Sequence, residues 1–204
     1  MQRQSIVTKI ALLLLAGAVL PMVAQVPHPT CNQCQATYVP KSELDAYIKR
    51  EIENNITDLE VRSVDVGKVN VGIGIVTRGK LQPGDGVGGA VSEHEQVSEV
   101  YYVIDGSATF LTGPDLVDAK QRPSTLRAVR EQNGPGFSAP SIKNPVTHQL
   151  KAGDVLIVPA GTGHQFTRID DHITYVMARI DPDKVVALKS EAQSKAYLQS
   201  PVTK

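Results

Sequence analysis

Between Leu59 and Ile180 the chain is built from short runs of Val, Ile and Thr, separated by clusters of Gly, Pro and Asp. No helical period crosses this stretch. Candidate strands are residues 61–66, 69–76, 99–104, 108–112, 147–150, 154–158, 164–168 and 173–179. Short strands at this spacing, punctuated by turn signals, predict an all-β sandwich or closed barrel. The segment from Leu116 to Asn144 is long, polar and holds several Pro and Gly residues, which marks it as an insertion or lid.

One helix precedes the strands. Leu44, Tyr47, Ile48 and Ile52 form a single stripe over Lys41–Asn55, with Ser42 as the expected N-cap and Glu43 and Asp45 in the first turn. Asp181-Pro182 signals a second helix start, after which the sequence fades into a polar, peripheral tail. There is no internal repeat. The 204 residues are enough for one domain. The expected organisation is a leader over 1–24, a lead-in and helix over 25–57, a β domain over 58–181 and a tail over 182–204.

The leader is read from its chemistry. Arg3 and Lys9 precede an apolar run from Ile10 to Ala24 that contains Pro21. That length fits a secretory signal peptide and is short for a membrane span. The expectation is a periplasmic or secreted protein with no membrane association after cleavage. Lys plus Arg and Asp plus Glu are both 21, so no basic excess is available to bind nucleic acid. Removal of Arg3 and Lys9 leaves 19 basic and 21 acidic residues. Cys31 and Cys34 sit in the Pro-punctuated lead-in. They read as a surface disulfide or a flexible pair; a metal role with His28 lacks a fourth ligand, and haem attachment lacks the His that would have to follow Cys34.

Two segments carry chemistry. In the first, Ser92, His94 and Gln96 alternate with Glu93 and Glu95, and Glu99 follows a turn through Val97-Ser98. Side chains two apart on a strand share a face, so Glu99 can return beside His94, with Tyr101 and Val103 on the same side. In the second, the turn Pro159-Ala-Gly-Thr-Gly163 delivers His164 onto a strand, and His164, Phe166 and Arg168 then share a face. Two imidazoles and a carboxylate converging inside a barrel suit Fe, Mn, Zn, Cu or Ni, with positions left open for water or substrate. Tyr101, Phe166 and Arg168 are expected as pocket walls. His148 and Tyr175 lie on predicted strands, and His172 on an exposed turn.

The same segments resemble the paired motifs of the cupin superfamily. Gly86, His94, Glu99 and Gly106 match the first motif with its gaps; Gly153, Pro159, Gly161 and His164 match the second in register. The resemblance implies a double-stranded β-helix, or jelly-roll barrel, of the small exported single-domain kind. It implies one divalent metal ion and allows pairing into a homodimer. Two positions depart from the pattern. The first His of the usual pair is Ser92, and the closing Asn of the second motif is Arg168. The implied ligands are therefore His94, Glu99 and His164, with Gln96 or Ser92 at a possible fourth position and Tyr101 and Arg168 as catalytic candidates. The expected activity is dioxygenase or other oxidoreductase chemistry on a small molecule. An isomerase or lyase, or a non-catalytic module binding a sugar or phenol, are the alternatives.

Overall fold

The computed structural model describes residues 35–84 and 90–201. The leader, His28, both cysteines and Gly86 lie outside the described residues. Helix α1 (Lys41–Asn54) is followed by β1 (Leu59–Asp65), β2 (Asn70–Arg78), β3 (Val91–Ser92) and β4 (Ser98–Gly113). The long insertion holds β5 (Leu116–Val117), β6 (Lys120–Gln121), a wide helical turn at Val129–Asn133, β7 (Phe137–Ala139) and β8 (Ser141–Ile142). The chain closes with β9 (Val146–Lys151), β10 (Val155–Val158), β11 (Gly163–Arg168), β12 (Ile173–Asp181) and helix α2 (Glu191–Gln199).

All strand pairs are antiparallel. One sheet runs β1-β2-β12-β4-β10 and the other β9-β4-β11-β3-β7-β6. Strand β4 belongs to both. Its first half pairs with β12 and β10, its second with β11 and β9. The sequence suggests two strands here, 99–104 and 108–112. The structure makes them one, bent at Gly106, whose φ is +78°. An added Cβ at Gly106 would meet the His172 carbonyl, so only glycine lets the neighbouring turn approach this closely. Inward positions switch there from odd (Glu99, Tyr101, Val103) to even (Ala108, Phe110). Val76, Tyr101, Val103, Phe110, Phe166 and Tyr175 fill the space between the two sheets. This curled, two-sheet antiparallel barrel is a double-stranded β-helix.

The helices cover the outer face of the first sheet. Three local expectations are corrected. Pro40, not Ser42, is the N-cap of α1: the chain is already helical at Lys41, two residues before a Ser42 cap would allow, and no side chain caps it. Within the expected stripe Tyr47 is buried, but Ile52 is 65% exposed; Glu43 and Glu51, one turn either side of Tyr47, go inward instead. Glu43 does so because Arg62 on β1 meets its carboxylate at 3.0 Å. Finally, Asp181-Pro182 forms a turn rather than a helix start: the Asp181 carboxylate accepts from Val185 N and Val186 N. Helix α2 begins at Glu191, where Ser190 and Gln193 cap each other reciprocally. Tyr197 on α2 stacks on Tyr47 with ring centroids 5.7 Å apart. No helix among the described residues is long and apolar enough to cross a membrane.

Candidate metal centre

The two motif segments meet because backbone hydrogen bonds tie them together. Gly161 N donates to His94 O at 2.8 Å, and Ala160 N donates to Ser98 Oγ at 3.0 Å. His164 on β11 lies opposite Ser92 on β3. Glu99 near the start of β4 is opposite Val158 on one side and Arg179 on the other. The result places His94, Glu99 and His164 together, all buried, with potential ligand atoms within 4.8 Å of one another. Glu99 is 1% exposed. His94 Nε2 is 3.3 Å from Glu99 Oε1, and His164 Nε2 is 3.5 Å from Glu99 Oε2.

The donor set fits a divalent ion: two imidazoles and a carboxylate on one side, at spacings a single small ion can bridge. His164 is prepared for the role. Its Nδ1 is 3.1 Å from the Thr162 carbonyl, which takes the ring proton and leaves the Nε2 lone pair facing inward. Burial lowers its pKa to about 4, against the pull of Glu99, so the ring is neutral at neutral pH. His94 is held differently. Its Nδ1 lies 2.7 Å from Arg122 Nη2, and a guanidinium can only donate. The neutral His94 ring therefore carries its proton on Nε2, facing Glu99.

Burial pushes the Glu99 carboxyl up, but the hydrogen bond from the His94 ring and the Arg179 charge outweigh it and hold Glu99 well below the usual carboxylate range. Tyr101 donates to Glu99 Oε2 at 2.8 Å. Burial first, and then the Glu99 charge, drive the Tyr101 phenol far above its ordinary pKa, so it stays a donor. Arg179 Nε lies 3.4 Å from Glu99 Oε1. Its other nitrogens pair with Glu60 and, at 2.6 Å, with both oxygens of Asp58. Gly74 leaves room for that guanidinium, since a Cβ there would sit 2.8 Å from Arg179 Nη1.

A small cavity of about 60 Å³ opens onto these groups. Ser92 and Tyr101 line it, and so do Phe166 and Tyr175. Two candidates do not reach it. Arg168 is exposed and pairs with Asp170 at 2.7 Å. The ladder between β11 and β4 slips between Phe166 and Arg168, and this bulge turns Arg168 off the face of His164. Gln96 sits on the turn before β4 and reaches Asp183 at 3.3 Å, so it takes no part in the cluster. His148 pairs with Thr112 at 2.9 Å. His172 bridges Asp171 and Asp105 at a turn.

Four contributors escaped the sequence reading: Arg78 at the end of β2, Arg122 and Asn133 in the long insertion, and Arg179 on β12. Arg179 alone had a usable signal, because it falls two and four residues beyond Met177 and Tyr175 on one strand face. Arg122 also donates to Glu93 O at 2.8 Å, so the insertion is pinned to the motif rather than merely lying over it.

In sequence, no family model matches the chain and no curated protein matches it. Among solved structures, the chain is similar to a protein from Bacillus halodurans (12% identity, TM-score 0.40, 81% of this chain and 98% of that one). It is similar to an RmlC-like cupin family protein with a double-stranded β-helix from Methanocaldococcus jannaschii (13%, 0.35, 63% and 84%). A third is hydroquinone 1,2-dioxygenase from Sphingomonas sp. TTNP3 with 4-hydroxybenzoate bound (13%, 0.36, 58% and 64%). The chain's own strand order, and the way its two motif segments lock together across the barrel, give a double-stranded β-helix, the fold that the cupin resemblance of the sequence implies.

Proposed function

We propose that this protein is an exported, metal-dependent cupin enzyme acting on a small molecule, with oxidoreductase chemistry of the dioxygenase type. The observation that carries the reading is the buried convergence of His94, Glu99 and His164 on one cavity. A divalent ion held there supplies Lewis acidity and, if redox-active, a site for oxygen chemistry. The chain's own residues do the rest. Tyr101 and Arg179 fix the Glu99 carboxylate, the Thr162 carbonyl fixes the His164 ring, and Phe110 and Phe166 supply apolar walls to the cavity. Export is supported by the leader-like chemistry of residues 1–24.

A second reading is favoured by one contact. Arg122 at His94 Nδ1 opposes metal ligation by His94 Nε2, which suits a barrel that binds a small molecule without turning it over.

The test is elemental analysis of the mature protein recovered from its exported location, beside a His94→Ala/His164→Ala double variant. About one Fe, Mn, Zn, Cu or Ni per chain, lost in the variant, supports the enzyme. A redox metal points to oxygen chemistry, and Zn to hydrolytic, isomerase or lyase chemistry. No metal even after reconstitution overturns the enzyme reading in favour of the binding module.

A further inference from the structure

Arg78 is the charged residue of the cavity with no counterpart. It lines the same space as His94, Glu99 and His164. Among the described residues no carboxylate forms an ion pair with this half-buried arginine, although Arg62 and Arg179, the fully buried arginines of this barrel, each have at least one. Asp58 lines the cavity too, but both its oxygens are engaged by Arg179 at 2.6 Å. Glu99 is likewise committed to Tyr101, Arg179 and the two histidines. The Arg78 Nε is buried and makes no hydrogen bond.

The guanidinium is nonetheless held in place. It lies over the Phe166 ring, 4.9 Å from the centroid, and the Tyr175 hydroxyl interacts with it. A buried guanidinium N–H without a partner is costly, and the planar fork matches a carboxylate in two parallel hydrogen bonds. Asn133 adds a second unmet need on the same cavity: it is 8% exposed and its Oδ1 has no partner. An acceptor in that position takes a hydroxyl donor.

Size narrows the ligand. A water needs on the order of 10–15 Å³ of such space, so the roughly 60 Å³ present accommodates a handful of non-hydrogen atoms.

We propose that the cavity recognises a short hydroxycarboxylate, with Arg78 gripping the carboxylate and Asn133 accepting from the hydroxyl. This deepens the enzyme reading above by naming its substrate class, and rests on that reading only for what becomes of the ligand after it binds.

The test uses glycolate as probe and ethylene glycol, which has the same carbon skeleton and hydroxymethyl group without the carboxylate, as control. Both are titrated calorimetrically into the mature protein before and after chelation. Glycolate is expected to bind in the millimolar range or tighter and ethylene glycol not at all, with Arg78→Lys weakening glycolate about tenfold through loss of the fork. Nitrogen-edited NMR of the wild-type protein needs no variant: saturating glycolate is expected to shift the Arg78 Nε–H resonance. An unmoved Arg78 resonance under saturating glycolate, equal affinity in Arg78→Lys, or equal binding of ethylene glycol each overturns the proposal. Glycolate binding that survives chelation supports the proposal, since Arg78 and Asn133 and not an ion then hold the ligand, and separates it from the enzyme reading.

Discussion

Arg122 donates from Nη2 to His94 Nδ1 across 2.7 Å, which sets a cation where a metal-ligating histidine ordinarily has an acceptor. Arg122→Gln replaces that cation with a side chain able to accept the Nδ1 proton. The His94 lone pair then turns to Nε2, and a positive charge leaves the neighbourhood of the ion. Divalent metal affinity is expected to rise about tenfold, the lower end of outer-shell effects. Competition against a chromophoric chelator measures it; unchanged or weaker affinity would show that Arg122 does not restrain the site.

Tyr101→Phe removes the hydroxyl that donates to Glu99 Oε2. The buried carboxylate loses one charged hydrogen bond, and stability is expected to fall by about 1.5–3 kcal/mol in urea denaturation. Metal content should be retained, because Arg179 still holds Glu99. Loss of metal in this variant would promote Tyr101 from a support of Glu99 to a requirement of the site.

Gly106→Ala tests the bend in β4. It places a Cβ at a φ of +78° and against the His172 carbonyl. Both sheets are hinged on this residue, so the cost should exceed the ~1 kcal/mol of a simple glycine replacement at positive φ. Denaturant midpoints of wild type and variant decide it, and a change below that level would mean that the turn yields without strain.

Glu51 sets a pH dependence. It is 1% exposed, and burial raises its pKa to about 8, despite the hydrogen bond that Oε2 accepts from Thr77 N. In the unfolded chain the carboxyl ionises near its model value of 4.5. Between these two values the unfolded state binds fewer protons than the folded state. Stability therefore falls as pH rises from about 4.5 to about 8, by roughly 3 kcal/mol at pH 7. Glu51→Gln is expected to flatten this part of the curve, read as melting temperature against pH. A wild-type slope that persists in the variant would place its origin elsewhere.

What the sequence made legible follows from how local each feature is. The cluster of His94, Glu99 and His164 was readable because its two motifs are short, each fixes its own turn, and together they resemble the paired cupin motifs, which implies that they converge. Arg168 failed for a reason of the same scale: one extra residue at the β11 bulge flips a side chain, and composition does not announce a bulge. The bend at Gly106 was mistaken for a strand end, since glycine beside aspartate signals a turn equally well. Arg78, Arg122 and Asn133 were out of reach because they enter the cavity from distant segments, through tertiary contacts that leave no periodic trace. Ile52 was assigned to the buried stripe by its hydrophobicity. Glu43 took an inward place because Arg62, in a different element, was there to neutralise it.

Strand β12 has one more consequence. It lies between β2 and β4 and pairs with both along most of its length, yet it is the last strand in the chain. As the polypeptide emerges from its N-terminus, everything up to residue 172 exists before the piece that joins the β1–β2 hairpin to the rest of the first sheet. Until then β2 has an open edge and the aromatic interior has no lid. The order of assembly is thus dictated by the order of emergence: folding to the closed barrel waits for the final sixth of the chain, and the waiting polypeptide is the form that any chaperone or transport machinery meets.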